Sequence, residues 1–482
     1  MYLGIDLGTS SVKVVLMNDQ QTILASSSQP LVVSRPHSGW AEQHPADWVS
    51  ATSQALDDLK HRFPQELAAV KGIGLSGHMH GATLLDQSNQ VLRPCILWND
   101  TRSHVEAAEL DANPLFRALS GNIVFAGFTA PKLVWVKRHE PDIFRQVAKV
   151  LLPKDYLRWW LTGEFVSEGS DAAGTAWLEV AKRQWSAELL SACDLTLEQM
   201  PRLIEGTEVS GFVRPALAAR WGMEKVIVAG GAGDNAASAC GMGVVKKGTA
   251  FVSLGTSGVL FAATDRYLPN PDSAVHTFCH ALPSTWHQMG VILSATDALN
   301  WWSRIAQQSA AELTQQLGSI LTAPASVLFL PYLAGERTPH NDAEVRGAFL
   351  RLAHDTERKI LTQAVLEGVA FALKDNLLAL QQAGSTLERM IAVGGGSKSP
   401  YWLKVLSTVL NVPIDLPLDN EVGAALGAAR LGLIAAQGLE PLEVLTPPVI
   451  EQTFEPASAL IPAYQHAYER YQQAYPALKT LN

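Results

Sequence analysis

The sequence YLGIDLGTSSVKVVLM, residues 2–17, has the pattern of a β-hairpin. Two apolar runs, Tyr2–Leu7 and Val12–Met17, lie on either side of a Gly-Thr-Ser-Ser turn. Short runs rich in Val, Ile and Leu that are interrupted by glycine and serine are typical of paired strands. Thr22–Ala25 follows an NDQQ turn and predicts a third strand beside the hairpin.

Part of this hairpin occurs again about half a chain length later. The tetrapeptide LGTS occupies Leu7–Ser10 and then Leu254–Ser257. Apolar runs surround both copies, since AFVS precedes and GVLFA follows the second one. A repeat in matching context indicates duplication of a structural unit. We therefore predict two related domains, residues 1–244 and 245–482, that face each other across a nucleotide.

Strand-like and helix-like segments alternate along the rest of the chain, which predicts an α/β fold. Pro45–His61 has apolar residues at helical spacing and a proline in its first turn, as amphipathic helices do. The other predicted helices lie at about 131–161 (mostly helix), 295–308, 358–382 and 420–434, with a small-residue helix after GGAGDN. The other predicted strands lie at 70–75, 82–85, 91–98, 226–229 and 390–393, and a second hairpin is predicted at 250–263.

Length, charge and cysteine content exclude several classes of protein. A chain of 482 residues exceeds what one hydrophobic core usually supports, which agrees with two domains. The net charge of −9 and the lack of a Lys/Arg-rich run argue against a nucleic-acid partner. The four cysteines lie far apart and form no CxxC pair, which argues against a disulfide scaffold and a zinc site.

The sequence also lacks targeting signals that can be recognised by composition. The start MYLGIDLGTSS has neither the basic region nor the long apolar region of a secretion signal. No uncharged apolar run reaches the roughly 18 residues that suggest a membrane span. We therefore expect a cytoplasmic protein with no membrane partner.

The first turn is a candidate phosphate and metal site. Asp6 lies just before Gly8, Thr9 and Ser10, whose N–H groups and hydroxyls suit a phosphate. A carboxylate beside bound phosphates can hold Mg²⁺, which favours one or two carboxylates together with phosphate oxygens. Ser253 takes the place of Asp6 in the second copy, so only one turn would hold metal. The alternative is an ordinary hairpin turn with a solvated aspartate.

Asp234 is the candidate general base. It follows a strand-like run and the glycines Gly230, Gly231 and Gly233, and it precedes a small-residue helix. Glycines allow backbone and ligand to approach closely, so the carboxylate would lie against a substrate. The alternative role is a helix N-cap, for which aspartate is also favoured.

Two glycine patterns superficially match a dinucleotide-binding loop. GAGDNA would place the negative charge of Asp234 beside a pyrophosphate, which argues against this role. In addition, no Asp or Glu lies between Asn235 and Thr264 to hold a ribose. The second match, Gly72–Gly77, leads into HMHGATLLD rather than into a helix. The P-loop pattern G-x-x-x-x-G-K-[ST] does not occur, which excludes a P-loop kinase.

Three further loops have the residue types of a binding site. His78–His80 could line a pocket, and no third ligand nearby supports a metal site there. Trp98 and Asp100 lie in one loop, where an indole can stack on a sugar ring and a carboxylate can bind its hydroxyls. Gly394–Gly396 follow a predicted strand and could pass close to a nucleotide, or form a simple turn.

Seven segments spread over almost the whole chain form a recognisable set: IDLGTSSVK, ILWNDTR, TAPKLVWVK, AGGAGDN, SLGTSG, LAGERTP and AVGGGSKS. They occur in the order found in FGGY carbohydrate kinases, which the chain resembles. The resemblance implies two ribonuclease-H-like domains of the actin and Hsp70 superfamily, with a cleft for nucleotide and substrate between them. It also implies an enzyme that uses ATP and Mg²⁺.

The resemblance assigns roles to individual residues. Asp234 would accept the proton of the sugar hydroxyl, and Asp6 would be tied to Mg²⁺. The implied sugar contacts are Met79, His80, Asp234 and Asn235, the implied phosphate contacts are Gly8, Thr9, Ser10, Lys13, Gly255 and Thr256, and the implied adenosine contacts are Gly394, Gly395 and Gly396.

The implied activity is ATP-dependent phosphorylation of D-xylulose at its 5-hydroxyl. HMHGATLLD beside ILWND favours this ketopentose, and Met79-His80 stands where glycerol kinases carry Arg-Glu. Ribulose, gluconate and glycerol remain open as substrates, and so does an Hsp70- or actin-like ATP switch without sugar kinase activity. The expected partners are the small-molecule sugar and ATP, and a homodimer is left open.

Overall fold

A computed structural model of the chain describes residues 1–419 and 423–481. The strands β1 to β24 are, in chain order, Tyr2–Leu7, Ser11–Met17, Ile23–Pro30, Glu42–Gln43, Gly72–Gly77, Thr83–Leu85, Cys95–Ile96, Lys149–Leu151, Val166–Glu168, Leu178–Glu179, Gln184–Trp185, Arg202–Ile204, Val209–Phe212, Ile227–Ala229, Ala232–Gly233, Gly248–Leu254, Gly258–Thr264, His276–Cys279, Trp286–Ile292, Leu328–Leu330, Ala348–Leu350, Leu387–Val393, Ile414–Pro417 and Ile450–Phe454. The α-helices α1 to α18 are Pro45–Arg62, Pro64–Ala68, His104–Ala112, Pro114–Ser120, Thr129–His139, Pro141–Phe144, Pro153–Thr162, Gly169–Ala172, Ala187–Ser191, Pro215–Trp221, Asp234–Met242, Thr296–Ala306, Ala310–Gln315, Arg358–Gln382, Pro400–Leu410, Ala424–Gln437, Pro441–Val444 and Ile461–Lys479.

The chain divides into two compact units, each with its own core. The first unit holds Met1–Val245, Phe278–Trp286 and the described part of 421–447. The second unit holds Lys246–Thr277, the described part of 287–420, and the chain from Pro448 onward. The boundary predicted at 244/245 lies next to the first crossing, whereas the two later segments of the first unit were not foreseen. Local sequence patterns do not reveal which unit such a segment packs against.

The sheet of the first unit has the strand order β13-β14-β5-β1-β2-β3. β1 pairs antiparallel with β2 and parallel with β5, so the predicted hairpin lies at the centre of the sheet. β2 pairs antiparallel with β3, which confirms the third strand. The Gly-Thr-Ser turn therefore lies at the same edge of the sheet as the end of β5.

The sheet of the second unit repeats this arrangement. Its order, β19-β17-β16-β22-β23-β24 with β18 beyond β19, matches that of the first sheet read in reverse, β3-β2-β1-β5-β14-β13. β16 pairs antiparallel with β17 and parallel with β22, as β1 does with β2 and β5. Both LGTS segments link the two strands of a central hairpin. Matching topology supports the duplication inferred from the sequence.

Helix α16 packs against the first sheet through bare backbone. A Cβ atom built on Gly74 would lie 1.8 Å from the carbonyl oxygen of Ala428, and one on Gly4 would lie 1.9 Å from that of Ala425. Helix α16 also packs closely on helix α11, since a Cβ on Gly427 of α16 would lie 1.8 Å from the carbonyl oxygen of Ala237 in α11. Only glycine permits such approach, because any side chain would overlap the facing backbone.

Most predicted elements are confirmed, with shifts of a few residues at their ends. α1 ends one residue beyond the prediction, and α14 covers 358–382 as expected. The prediction of helix through 131–161 is wrong at β8, whose partner β6 is distant in sequence and cannot be recognised locally. The predicted start of α16 at 420 lies outside the described residues.

Two expectations about the compartment can be compared with the structure. Within residues 1–419 and 423–481, no helix has both the length and the apolar character needed to cross a bilayer. The four cysteines are free thiols, and all four are buried. Burial raises the pKa of the Cys95 thiol to about 11, so this side chain behaves as a small core residue.

Gly74→Ala is expected to destabilise the protein by about 3 kcal/mol, because the new methyl group must displace α16 from the sheet. The measurement is the free energy of unfolding from chemical denaturation followed by tryptophan fluorescence. Gly395→Ala is the matched control, since a Cβ there meets no atom within 4 Å. Equal stability of the two variants would contradict the close contact.

Candidate active site

The first Gly-Thr-Ser turn is held by neighbouring loops of the first unit. The N–H of Gly8 donates to the carbonyl of Ser11 at 3.0 Å. The indole Nε1 of Trp98 donates to Thr9 Oγ1 at 2.9 Å, and Gln43 Nε2 donates to the carbonyl of Thr9 at 2.7 Å. Thr9 and Trp98 were predicted to contact different ligands, and the structure joins them directly.

Asp6 lies near the end of β1, across the hairpin from Lys13. Burial raises the pKa of Asp6, and the side chain of Ser76 and the charge of Lys13 oppose that shift. Its Oδ1 atom is buried and has no hydrogen-bond partner among the described residues. A buried carboxylate oxygen without a partner is costly, which makes this atom a candidate ligand for a cation.

Asp234 is the first residue of α11 and is held by its neighbour. Its Oδ1 atom accepts hydrogen bonds from the N–H of Asn235 at 2.7 Å and from Asn235 Nδ2 at 2.9 Å. Burial raises the pKa of Asp234 to about 6, the charge of Asp6 adds to the rise, and both Asn235 donors oppose it. The two aspartates are therefore electrostatic neighbours. Because both Asn235 donors bind Oδ1, the carboxylate is fixed through one of its oxygens.

The glycines before Asp234 are required by packing. A Cβ on Gly231 would lie 2.1 Å from the carbonyl oxygen of Leu75 in β5, and the residue has φ +72°. A Cβ on Gly230 would lie 2.2 Å from the carbonyl oxygen of Glu205. The loop thus runs between two backbone segments, and Asp234 emerges from it at the edge of the sheet where β5 ends.

His80 ends the loop His78–His80, which we call the HMH loop, and it is held by its backbone conformation and its ring contacts. It has φ +70°, and its ring stacks on Phe128 with centroids 4.7 Å apart. Its Nδ1 lies 2.7 Å from the carbonyl oxygen of Gly174, and a carbonyl can only accept, so Nδ1 carries the proton. In the neutral ring, Nε2 is then an acceptor.

Gly174 and Lys132 fix the position of His80. A Cβ on Gly174 would lie 2.4 Å from His80 Cε1 and 2.9 Å from Met79 Cε. Lys132 Nζ donates to the carbonyls of His80 and Gly127, both at 2.7 Å. Burial lowers the pKa of Lys132 to about 7. Lys132 lies in the TAPKLVWVK motif, which by itself indicates no role for this side chain, and Gly174 has no local sequence signal.

Met79 connects the HMH loop to the Asp234 loop. Its side chain is buried. A Cβ on Gly233 would lie 3.1 Å from both Met79 Cγ and Sδ. The structure therefore brings Met79 against the residue directly before Asp234, although the two segments lie more than 150 positions apart in the sequence. Phe278 lies beside His80, with ring centroids 6.3 Å apart, and no local sequence pattern marks it.

Asp100 is placed differently from the other predicted sugar contacts. Its carboxylate is buried and accepts from the N–H of Ala41 at 2.6 Å and from Arg102 Nε at 2.9 Å. Arg102 also stacks over Trp40 at 3.6 Å. This geometry favours a role in holding the loop over direct contact with a ligand. Trp98, by contrast, is 46% exposed and can reach a bound molecule.

The second unit contains a cavity of about 750 Å³ beside the predicted nucleotide glycines. Gly395 and Gly396 line it together with Thr296, Asn300, Tyr401 and Lys398. Thr296 Oγ1 donates to the carbonyl of Gly255 at 2.7 Å, which ties the second Gly-Thr-Ser turn to the cavity wall. Gly394 precedes this wall, and a Cβ there would lie 2.7 Å from the carbonyl oxygen of Leu254.

The residues of the first unit fit Mg²⁺ as a partner of bound phosphate. Within the described chain, no group of three or more His, Cys, Asp or Glu side chains is arranged to hold a metal by itself. Mg²⁺ is commonly held by one or two carboxylates, waters and substrate phosphates, for which a single aspartate suffices. The unpartnered Oδ1 of Asp6, next to the Gly-Thr-Ser turn, matches that donor set.

Comparison with known proteins identifies the class. Residues 1–241 match the N-terminal domain, and residues 250–436 the C-terminal domain, of the FGGY family of carbohydrate kinases. The chain belongs to this family and is a carbohydrate kinase.

Individual relatives are similar over their full length. The xylulose kinase of Escherichia coli K12 is 48% identical over 486 residues, with 100% of both chains covered. A crystal structure described as a "xyloylose kinase" from Brucella ovis has 62% identity, full coverage of both chains and a TM-score of 0.99. That of xylulose kinase from Rhodospirillum rubrum has 29% identity, a TM-score of 0.93, and covers 100% of this chain and 99% of its own.

These relatives confirm the predicted fold class, α/β with two ribonuclease-H-like domains of the actin and Hsp70 superfamily. They also confirm the family resemblance drawn from the sequence motifs. Membership of a carbohydrate kinase family argues against the ATP-switch alternative.

The pKa of Asp234 is expected to rise in Asn235→Ala and to fall in Asp6→Asn. The first change removes the amide donor that stabilises the carboxylate, and the second removes a neighbouring negative charge. The measurement is a carboxyl ¹³C titration of protein labelled at aspartate, with Asp234→Asn used to assign the signal. Shifts in the same direction for both variants would contradict the geometry.

Proposed function

We propose that this carbohydrate kinase transfers the γ-phosphoryl group of ATP to D-xylulose and forms D-xylulose 5-phosphate. The observation that carries the proposal is Asp234. Its Oδ1 is held by both Asn235 donors, its pKa is raised to about 6, and the residue before it, Gly233, packs against Met79. Full-length similarity to proteins named xylulose kinase supports the choice of sugar.

The first unit would bind the sugar. His80 Nε2, an acceptor in the neutral ring, would receive a sugar hydroxyl, while Met79 and Trp98 would contact the carbon chain. Asn235 would form hydrogen bonds with both the sugar and Asp234. Asp100 would hold its loop in position rather than contact the sugar.

Asp234 would act as the general base. Its Oδ2 would accept the proton of the sugar's 5-hydroxyl while the hydroxyl oxygen attacks the γ-phosphorus of ATP in line. A carboxyl group with a pKa of about 6 is ionised at neutral pH, and it is a stronger base than an ordinary aspartate. A base of this kind typically accelerates a reaction by about 10²–10⁴-fold.

The second unit would bind ATP. A cavity of about 750 Å³ is in the range of ordinary ligand pockets, and Gly394–Gly396 would pass close to the adenosine. Gly255 and Thr256 in this unit, and Gly8, Thr9, Ser10 and Lys13 in the first, would contact phosphates. Asp6 would hold Mg²⁺, which when bound would neutralise charge on the transferring phosphates. A cytoplasmic site of action, where ATP is available, belongs to the proposal, and a homodimer stays a prediction.

The proposal is tested by ADP release in a coupled assay with D-xylulose, D-ribulose, gluconate, glycerol and no sugar. We expect D-xylulose to give the highest kcat/KM, with a fall below about pH 6 because Asp234 is protonated there. Asp234→Ala should fold and bind ATP, and its kcat should be lower by about 10²–10⁴-fold.

Preference for another sugar of the panel would overturn the substrate assignment. Near-wild-type turnover of Asp234→Ala would overturn the base assignment and leave the substrate assignment intact. Nucleotide binding, measured by calorimetry, controls for folding of the variant.

Gly174→Ala is expected to raise the KM for the sugar about tenfold, or roughly 1.4 kcal/mol. The new methyl group would displace the His80 ring, whereas the cavity of the second unit would be unaffected. KM values for sugar and ATP are measured separately. Gly211→Ala is the control, because a Cβ there meets only side-chain atoms away from His80, the nearest being Glu164 Cγ at 3.1 Å and Thr162 Cβ at 3.2 Å. An unchanged sugar KM in Gly174→Ala would remove His80 from the binding site.

A further inference from the structure

Five charged side chains form a group in the first unit with no exposure to solvent. They are Lys154, Asp155 and Arg158 of α7, together with Glu168 and Asp171, and we call them the buried charge cluster. Lys154 Nζ lies 2.7 Å from Asp155 Oδ1, 3.4 Å from Glu168 Oε1 and 3.3 Å from Asp171 Oδ2. Burial of this many charges is costly unless they are paired, so a specific role is expected.

Arg158 attaches the cluster to the start of the Asp234 loop. Its Nη1 donates to the carbonyl of Ala229 and its Nη2 to the carbonyl of Gly230, each at 2.5 Å. The planar guanidinium thereby holds two successive carbonyls, a geometry that the single ammonium of lysine does not reproduce.

Ser170 attaches the cluster to the end of the same loop. Glu168 accepts from the N–H groups of Ser170 at 2.7 Å and Asp171 at 3.0 Å, which fixes the short helix α8. The hydroxyl of Ser170 in turn accepts from the N–H of Gly233 at 3.1 Å. Gly233 is the residue directly before Asp234, so the loop is held on both sides.

The cluster contains three carboxyl groups and two cations. Its net charge is zero when one of the carboxyl groups is protonated and the other four side chains are ionised. Burial raises the pKa of Asp171 well above its ordinary value; the charge of Lys154 opposes the rise, and the charges of Asp155 and Glu168 add to it. Asp171 is therefore the carboxyl group to which we assign the proton. Asp155 lies between the two cations, with its Oδ1 2.7 Å from Lys154 Nζ and 3.6 Å from Arg158 Nη2.

We propose that the buried charge cluster is a positioning device for Asp234, acting through Arg158 on the carbonyls of Ala229 and Gly230 and through Ser170 on the N–H of Gly233. The inference rests on the proposed function, in which Asp234 is the base. None of these side chains needs to touch a substrate. Loss of an attachment should therefore lower kcat more than it changes either KM.

Ser170→Ala tests the second attachment, with Ser186→Ala as the matched control. Both serines are buried and accept one backbone N–H, from Gly233 at 3.1 Å and from Leu189 at 3.2 Å. We expect Ser170→Ala to lower kcat about tenfold or more, with both KM values within about twofold of wild type, because small misplacement of a reacting group has large effects. Ser186→Ala should show similar thermal stability and unchanged kcat.

Amide hydrogen exchange of the peptide that spans 229–236 gives a readout independent of catalysis. Ser170→Ala should exchange faster there than wild type, and Ser186→Ala should not. Equal exchange and equal kcat in the two variants would overturn the proposal. Faster exchange in an enzyme without sugar-dependent turnover would instead overturn the proposed function alone.

The charge assignment is tested by Asp171→Asn and Asp155→Asn. An amide replaces a neutral carboxyl group at Asp171, but removes a needed anion at Asp155. Asp155→Asn should therefore lower Tm more and increase exchange in 229–236 more than Asp171→Asn. The reverse order would show that Asp171 is the ionised member and would overturn the stated balance.

Discussion

The contact between helix α16 and the bare backbone of β1 and β5 is the constraint on which the first unit depends. Gly4 and Gly74 leave the sheet surface flat, and α16 presents its own carbonyl groups to that surface. Close packing of this kind allows only one position of the helix on the sheet. The same two strands end at Asp6 and at the HMH loop, so the position of both functional segments follows from it.

The shifted pKa values in this unit result from burial of the side chains more than from the net charge of the protein. Burial raises the pKa of both Asp6 and Asp234, and the charge of Asp6 raises the pKa of Asp234 further. Asn235 compensates by binding one oxygen of Asp234. Beneath the loop, paired charges hold the backbone without solvent contact. The arrangement leaves a base with a pKa near the pH at which a kinase of this type would operate.

Sequence patterns predicted the central hairpins, helices α1 and α14 and the α/β class, because each depends on apolar periodicity and turn residues within a short window. Asp6, Asp234 and the glycine turns were also recognisable, since they stand at strand ends within repeated or glycine-rich motifs. The interruption at β8 was missed, because its hydrogen bonds go to β6, more than 60 residues earlier. Gly174 and Phe278 gave no local signal, since their importance lies in contact with His80.

By itself, the sequence determined the duplicated hairpin, the glycine-bounded aspartates and the family to which the motifs belong. These features are local, and short-range backbone preferences are enough to specify them. Only the tertiary structure decided that Asp100 accepts a hydrogen bond from Arg102 and that the His80 ring packs against Gly174. It also decided that the loop before Asp234 is hydrogen-bonded to buried charged side chains. Such contacts join residues far apart in the chain, and their energies depend on burial, which exists only once the chain has folded.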